Sequence, residues 1–446
     1  MGHLASPVGR ARALCGRPAE GPMTPPLPLL HRLWRRLPAG SRRRMAMRLA
    51  ALAAPRPDAP RPVAAGGVIV AGELSRASGL GESARLMLRG LAALGVPTWP
   101  IDIGRYLPAH RNDLPQPPQP DSSPPSGAPL VLHVNPPLLP LVLARLPRAI
   151  VRNRHLVGYW YWELPIAPAE WRLGARYVHN VWAPSRFTAD ALAPLVDAPI
   201  RAVRPPVAIN PLAPAPLNRA HFGLPTQAVI VFSSFNLASS FVRKNPLGSI
   251  EAFRMAFGAR SDRMLVLKVG NPDHFPDDFT RLVTAAAAHS NIRLVTDTLA
   301  PGASLALTAS ADIVLSLHRS EGFGLVAAEG MLLGKPVVAT DWSATTEFMD
   351  ATCAALVPSR LVPAEDARGI YAVSGAEWAE ADLGHAADWL RRLADDPDLR
   401  RTLGGAAHAA ALERLGTGSL AQAVSSLGLQ VRQDAVLLPA LEAKAP

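Results

Sequence analysis

The feature that most constrains the fold is a repeated alternation of short apolar strands with amphipathic helices. GGVIVAGEL, from residue 66, is typical of a buried strand, and RASGLGES is typical of a turn. ESARLMLRGLAAL then places apolar residues at helical spacing up to Gly95, which predicts the end of a helix. VPTWPIDI predicts a second strand. Because a strand, a helix and a following strand form a right-handed crossover, the two strands are expected to be parallel.

The alternation continues in two blocks. Further strands of the first block are predicted at LVLHV (130–134), LVGYWYW (156–162), VHNVWAP (178–184, followed by a helix capped by Ser185) and RAVRPPV. Strands of the second block are predicted at AVIVFSSF (from 228), MLVLKV (264–269), IRLVT (292–296), DIVLSL (312–317), PVVAT (336–340) and AALVP (354–358).

A chain of 446 residues is too long for one compact core. We therefore predict an α/β protein with two doubly wound, Rossmann-like domains that face each other across a cleft. The expected boundaries are an extension over 1–62, an N-terminal domain over 63–212, a C-terminal domain over 213–415, and a tail or helix over 416–446. NPLAPAPLN, at 210–218, is the expected linker.

The formal net charge of +11 is concentrated in HRLWRRLPAGSRRRMAMR, residues 31–48, which has seven arginines and no acid. This location argues against a protein that binds nucleic acid with its folded part. A helix over about residues 30–52 would suit an anionic membrane surface. The alternatives are a disordered basic leader, or a start codon placed too early with Met23, Met45 or Met47 as the true start.

Several other classes of protein are disfavoured. Cys15 and Cys353 have no metal-site spacing and form no disulfide framework, so a reducing compartment is expected. No stretch approaches about 18 uninterrupted apolar residues, and no signal peptide is evident. We therefore expect a cytoplasmic protein, with the extension as its one candidate for peripheral contact with the inner membrane.

The stretch SEGFGLVAAEGMLLGKPVVATD carries two glutamates around a glycine turn. Glu321 is predicted in a loop, and Glu329 in the second turn of a helix that begins near Leu325. Gly322 and Gly324 lack a Cβ, so a ligand can approach the backbone, and the N-terminus of a helix favours an anion. Since a carboxylate can accept hydrogen bonds from two sugar hydroxyls, the pattern favours a nucleotide-sugar site. The alternative is an ordinary strand–turn–helix connection with solvated acids.

A second basic element is SSFNLASSFVRKNPLGSIEAF, in which Arg243 and Lys244 precede a helix predicted from Pro246. Cations at the positive end of a helix are unfavourable unless an anion compensates them, and a diphosphate would do so. The alternative is an exposed basic pair on a loop.

FNLASSFVRKNPLGSIEAF, HRSEGFGLVAAEGMLLGKPVVATDWSATTEF and WAEADL resemble the GT-B glycosyltransferases of family 4, the group 1 type, over about residues 66–415. They are most similar to the bacterial branch that builds exopolysaccharides and lipopolysaccharides. The resemblance implies transfer of a sugar from a nucleotide-sugar to a glycan or a lipid-linked glycan. It further implies retention at the anomeric carbon, with no metal and no cofactor.

The resemblance also implies roles for individual residues. Glu321 would contact the transferred sugar, Glu329 the ribose and Lys244 the diphosphate. Backbone groups of the turn that opens the second helix would complete the donor site: Gly322, Phe323, Gly324 and Leu325. Many members have an arginine about five residues before the lysine, where this chain has Leu237, Ala238 and Ser239. Arg243 is therefore the proposed substitute.

The first half supplies weaker candidates. Gly79 and Gly81 form a lone GxG turn for the donor. His133 follows a strand, where it would contact the donor or acceptor or else serve a structural role. Glu163 and Trp162 are acceptor candidates, although core packing is the expected role of any one aromatic residue of GYWYWELP. Asp102 and Asp341 also end predicted strands.

No carboxylate of the first half is placed as a nucleophile, which favours front-face attack by the acceptor. In that mechanism a diphosphate oxygen acts as the base, while Arg243 and Lys244 stabilise the departing group. Two alternatives remain open at this stage, a GT-B sugar-nucleotide epimerase and an inactive scaffold that binds a nucleotide-sugar.

Overall fold

The computed structural model describes residues 39–107, 113–209 and 213–432. Most of the predicted extension, residues 1–38, and the start of the linker candidate, 210–212, lie outside this part of the chain. A helix, α1, covers Ala39–Ala53. Both sheets lie in one compact unit, residues 50–446.

Residues 50–62 pack on the N-terminal domain, so the predicted disordered extension is too long at its C-terminal end. Ala54 is buried in the core of that domain. The carboxylate of Asp58 accepts a hydrogen bond from the backbone N–H of Asn153 at 2.6 Å. The ordering follows from a buried apolar side chain and from backbone groups that find partners on the domain.

The N-terminal domain is a sheet of six parallel strands in the order β2-β1-β3-β4-β5-β6. Its strands lie where the apolar runs predict them: β1 Val68–Gly72, β2 Thr98–Asp102, β3 Leu130–Leu132, β4 Leu156–Tyr159, β5 Asn180–Ala183 and β6 Ile200–Ala202. Its helices are α2 Gly79–Ala93, α3 Leu139–Arg145, α4 Arg148–Val151, α5 Arg172–Ala175 and α6 Arg186–Leu192.

The C-terminal domain has a second sheet of six parallel strands, in the order β12-β11-β10-β7-β8-β9. The strands are β7 Val229–Asn236, β8 Arg263–Gly270, β9 Ile292–Val295, β10 Ile313–Ser316, β11 Val337–Thr340 and β12 Ala355–Val357. The helices are α7 Phe241–Lys244, α8 Pro246–Phe257, α9 Pro276–Ala287, α10 Pro301–Ala309, α11 Leu325–Leu332, α12 Leu383–Asp395 and α13 Pro397–Arg414. Two doubly wound parallel sheets confirm the predicted fold class.

Two elements join the domains. An antiparallel hairpin, β13 Ser359–Pro363 and β14 Glu377–Ala381, was not predicted from the sequence. Its connecting segment carries Tyr371 and Ala376 into the core of the N-terminal domain. The C-terminal helix, α14 Gly418–Ser426, returns to the N-terminal domain, where Leu420 and Val424 pack in one core with β1 and α2.

Local signals account for several boundaries. Ser185 caps α6 as predicted, since its Oγ accepts the N–H of Thr188 at 3.1 Å. The helix α2 begins at Gly79, three residues earlier than predicted, because Ser78 caps it by accepting the N–H of Gly81 at 3.1 Å. The strand β4 ends at Tyr159, so Trp160, Tyr161 and Trp162 of the predicted strand lie beyond the sheet. In the part of the chain that the structure describes, no helix combines the length and apolarity that crossing a membrane requires.

Candidate active site

The glycine turn after β10 lies at the contact between the two domains. Its residues Glu321 and Gly322 are buried, and α11 begins at Leu325 with Glu329 in its second turn, as predicted. The carbonyl of Gly322 accepts hydrogen bonds from the Ser185 Oγ at 2.8 Å and the Thr188 Oγ1 at 3.4 Å. The first turn of α6 in the N-terminal domain therefore holds the glycine turn of the C-terminal domain.

Five polar side chains converge next to this turn. The Nη1 of Arg243 lies 3.2 Å from the Oε2 of Glu321, and its Nη2 lies 3.6 Å from the Oε1 of Glu163. Lys244 donates a hydrogen bond to the other carboxylate oxygen of Glu321. The Tyr371 hydroxyl donates to the Oε2 of Glu163 at 3.0 Å. The cluster joins both domains, because Glu163 belongs to the first and the other four residues belong to the second.

Arg243 is the centre of this cluster. Its side chain is 2% exposed, and it donates to the carbonyls of Ser320 at 2.6 Å and Ser239 at 2.9 Å. Its guanidinium also lies 5.4 Å from the centre of the Tyr371 ring. These contacts enclose Arg243, so in this conformation it supports the site, and its direct contact with a diphosphate stays a prediction. Lys244 keeps 18% of its side chain exposed and is the more accessible cation.

The charge state of Glu321 follows from its two cations. Burial by itself would raise the pKa of this carboxyl, but the charges of Lys244 and Arg243 outweigh burial and lower the pKa to about 2. Glu321 is therefore ionised at neutral pH. Its oxygens lie at the carboxyl end of β10, where ligands of doubly wound sheets bind.

The two glycines of the turn make room for the protein itself. A Cβ at Gly322 would lie 2.9 Å from the carbonyl oxygen of Trp162. Gly324 has a φ of +102°, and a Cβ there would lie 2.5 Å from the Thr345 Cγ2. Phe323 between them is buried against Phe348, with ring centroids 5.3 Å apart. Both glycines are thus required by backbone geometry and domain contact before any ligand is considered.

We expect Gly324→Ala to destabilise the protein by about 1–3 kcal/mol, because a non-glycine residue at this φ is strained and its Cβ meets Thr345. Urea unfolding followed by tryptophan fluorescence measures the change. Gly405→Ala is the matched control, since Gly405 lies within α13 with nothing within 4 Å of an added Cβ. That control should stabilise by about 0.5–1 kcal/mol. Equal stability of the Gly324 variant and the wild type would contradict this account.

Glu329 lies close to the charged residues of α2 in the N-terminal domain. Burial raises the pKa of its carboxyl to about 7, and the negative charge of Glu82 in the first turn of α2 adds to this effect. Glu82 is itself bound by Arg85 at 2.8 Å and Arg89 at 2.6 Å. The charges at the start of α2 are therefore close enough to α11 to act on Glu329, and the donor role of Gly79 and Gly81 stays a prediction.

Because the pKa of Glu329 is raised, we expect Glu329→Gln to stabilise the folded protein more at high pH than at low pH. The folded-state pKa of about 7 exceeds the ordinary 4.5, so the stability that the protonated acid contributes is full below pH 4.5 and is lost as pH rises through 7. The melting temperature of the variant should exceed that of the wild type by about 2–4 °C more at pH 8.5 than at pH 4.5. Scanning calorimetry across this range checks it, with the exposed Glu413→Gln as control. If the difference in melting temperature between the two proteins does not change with pH, the raised pKa of Glu329 is refuted.

The remaining candidates of the first half are largely built into the fold. His133 is 1% exposed and stacks on Tyr159 with centroids 4.5 Å apart, and burial lowers the pKa of its imidazole to about 3. Trp162 is buried between Trp171 and Tyr371. A Cβ at Gly81 would meet the carbonyl of Glu73 at 2.6 Å. The structure thus favours structural roles for His133, Trp162 and Gly81, while Gly79 faces open space.

Sequence reasoning missed three contributors to the site, Tyr371, Glu380 and Thr188. Tyr371 lies in the segment between β13 and β14, which has no local pattern that marks it. The same hairpin supplies Glu380, whose two oxygens pair with Arg319 next to the glycine turn, at 2.7 Å for the shortest contact. Thr188 was also missed, although the recognised Ser185 cap places it one turn later and could have indicated it.

Among the residues that the structure describes, no three histidine, cysteine or acidic side chains converge as metal ligands would. The cations near Glu321 are Arg243 and Lys244. The two cations can bind an anionic group, and Glu321 can accept hydrogen bonds.

Comparison with known proteins agrees with this arrangement. A family model described as "Glycosyl transferases group 1" matches residues 238–373, which include Arg243, Lys244, Glu321 and Glu329. In a sequence comparison, no curated protein matches the chain.

Solved structures share the fold. Anabaena Alr3699/HepE, in complex with UDP and glucose, matches with a TM-score of 0.55 and 15% identity, over 81% of this chain and 99% of that one. A glycosyltransferase from Rickettsia africae matches with a TM-score of 0.57 and 14% identity, over 81% and 96%. A mutant of S. aureus TarM, in complex with fondaparinux, alpha-GlcNAc-glycerol and UDP, matches with a TM-score of 0.50 and 14% identity, over 68% and 55%. With the group 1 domain on a two-domain fold of this kind, the chain is a glycosyltransferase with the GT-B fold.

Proposed function

We propose that the protein is a retaining glycosyltransferase of family 4 that moves a sugar from a nucleotide-sugar to a growing bacterial glycan. The observation that carries the proposal is the cluster of Lys244, Arg243 and Glu321 at the start of α11, between two doubly wound domains. A cation and the N-terminus of a helix suit a diphosphate, and an ionised carboxylate suits sugar hydroxyls. Anabaena HepE, which shares the fold, was solved with UDP and glucose.

In the proposed complex the diphosphate lies between Lys244 and the N-terminus of α11. Glu321 exchanges its hydrogen bond from Lys244 for hydrogen bonds from the hydroxyls of the transferred sugar. Glu329 accepts hydrogen bonds from the ribose. Its pKa of about 7 implies that the nucleotide binds more tightly once this carboxyl has ionised.

Retention is proposed to occur by front-face attack of the acceptor. Glu163, the acid of the N-terminal domain that pairs with Arg243, is held by that guanidinium and by the Tyr371 hydroxyl, which leaves it poorly placed as a nucleophile. The leaving diphosphate then takes the proton of the acceptor hydroxyl, and Lys244 stabilises its charge without a metal or cofactor. The same engagement of Glu163, with the burial of His133, disfavours an epimerase, which needs free acid–base groups in this domain.

The acceptor is proposed to be an exopolysaccharide or lipopolysaccharide intermediate, some of it lipid-linked, at the cytoplasmic face of the inner membrane. The arginine-rich residues 31–48 support this location. Replacing Arg42, Arg43 and Arg44 by glutamine should lower binding to vesicles that contain phosphatidylglycerol. Unchanged co-sedimentation of that variant would remove the membrane part of the proposal.

A thermal-shift panel with UDP, GDP, dTDP and ADP, each with and without magnesium, tests the donor site. A nucleotide at 100 times its dissociation constant should add about 2.7 kcal/mol to the stability of the folded state. We expect one nucleotide to raise the melting temperature, and to do so equally with and without magnesium. If none of the four shifts it, the donor site and the proposed function fail. Incubation with the matching nucleotide-sugar and an acceptor glycan distinguishes an enzyme from an inactive scaffold, because only an enzyme releases nucleotide.

A further inference from the structure

A pocket opens beside the glycine turn. It is formed by the two segments that hydrogen-bond to this turn. The pocket has a volume of about 400 Å³ and lies between the start of α6 and the segment that follows β11. Its lining comes from both domains: Arg186, Phe187 and Asp190 from the first, and Asp341, Trp342, Ser343, Thr346 and Glu347 from the second. This volume is in the range of sites that bind small molecules.

The walls of the pocket are bonded directly to the proposed catalytic turn. The Ser343 Oγ accepts the N–H of Glu321 at 2.9 Å, and the N–H of Ala344 donates to the Glu321 carbonyl at 3.3 Å. On the other side, Ser185 donates to the Gly322 carbonyl at 2.8 Å, and the N–H of Phe187 donates to the Glu347 Oε1 at 2.8 Å. The lining is therefore hydrogen-bonded to the backbone of Glu321 through Ser343.

The lining has unused polar groups and two aromatic rings. Within the described chain, the side chains of Arg186, Asp190 and Asp341 form no hydrogen bond or ion pair with another described residue. The rings of Phe187 and Trp342 lie edge to face, with centroids 6.1 Å apart. Aromatic rings can pack against the apolar face of a sugar ring, and the carboxylates around them can accept hydrogen bonds from its hydroxyls.

The charges of the lining select among sugars. Asp190, Asp341 and Glu347 are acidic, whereas Arg186 is the one basic side chain of the lining. An acidic sugar would meet like charges in this pocket, so a neutral pyranose is favoured. We infer that this pocket, next to Glu321, binds a neutral pyranose of the acceptor glycan. This inference rests on the proposed function, since it takes Glu321 as the residue that holds the transferred sugar.

The test uses the full-length protein with the nucleotide found in the thermal-shift panel. Binding of methyl α-glucoside, α-galactoside, α-mannoside and N-acetyl-α-glucosaminide is measured by saturation-transfer NMR and titration, with methyl α-glucuronide as the acidic probe. At least one neutral pyranoside should bind saturably and more tightly than the glucuronide. Trp342→Ala and Asp341→Asn should each weaken this binding about tenfold or more, through loss of ring packing or of a charged acceptor.

Two controls keep the result interpretable. Asp197→Asn changes an exposed carboxylate of the same domain outside the pocket, and it should bind the pyranoside like the wild type. The nucleotide-dependent thermal shift, measured for every variant, shows that each remains folded with an intact donor site. If the shift persists but no neutral pyranoside binds, or if Trp342→Ala and Asp341→Asn bind like the wild type, the acceptor pocket is refuted alone. If the wild type shows no shift either, the proposed function fails with it.

Discussion

Glu321→Gln is expected to lower kcat for sugar transfer by about 10²–10³-fold while the affinity for the nucleotide changes by less than about threefold. The carboxylate is held by Lys244 and Arg243, and with a pKa of about 2 it is fully ionised. A glutamine cannot supply the negative charge that stabilises positive character on the sugar ring as the diphosphate leaves. The base and ribose lie against other residues in the proposed complex, so nucleotide binding should persist.

The measurement combines steady-state kinetics with isothermal titration of the nucleotide alone. Glu251→Gln is a suitable control, because Glu251 is an exposed acid on α8 and should leave both quantities unchanged. A parallel loss of nucleotide affinity and of kcat in Glu321→Gln would contradict the separate roles of Glu321 and Glu329. Unchanged turnover would remove Glu321 from the chemistry altogether.

Arg243→Met is expected to destabilise the fold by about 3–5 kcal/mol, the effect of removing one partner from a buried ion pair. The side chain is 2% exposed and faces Glu163 and Glu321. Among the described residues, its loss leaves Glu163 with the Tyr371 hydroxyl as its one side-chain partner. The pKa of Glu321 should also rise, because Arg243 contributes to its present low value. Urea unfolding at pH 7.5 measures the loss.

The matched control is Arg254→Met, which breaks an exposed ion pair with Glu251 on the surface of α8. Such pairs are screened by water, so the control should leave the urea midpoint unchanged. If Arg243→Met unfolds at the wild-type midpoint and loses only nucleotide affinity, then Arg243 serves the diphosphate and not the domain contact. The comparison therefore decides between the role that the sequence predicts and the role that the contacts indicate.

Local patterns predicted the elements of this fold well. The apolar runs at β1 and β10, the Ser185 cap of α6 and the start of α11 near Leu325 are all decided by residues adjacent in sequence. Hydrogen bonds and side-chain alternation within a few residues are sufficient to specify them. The position of Glu321 and Glu329 on either side of the helix start follows from the same local information.

Other features depend on residues far apart in the chain. Tyr371 reaches Glu163 across 208 positions, and Ser185 reaches Gly322 across 137. His133 follows a strand in the manner of a ligand-binding residue, yet it is buried by Met87 and Tyr159, which no local pattern reveals. The sequence did not predict the hairpin β13–β14, because its residues show no strong alternation. The segment packs instead against the other domain, whose residues are distant in the chain.

By itself, the sequence determined two parallel α/β domains and a glycine turn flanked by acids and preceded by a basic pair, because periodicity and capping act over a few residues. The tertiary structure alone decided which groups of that turn are free. It enclosed Arg243, left Lys244 partly exposed, and used the space at Gly322 and Gly324 for Trp162 and Thr345. The physical reason is that burial and pairing of charges depend on what the other domain places opposite them, which no stretch of neighbouring residues contains.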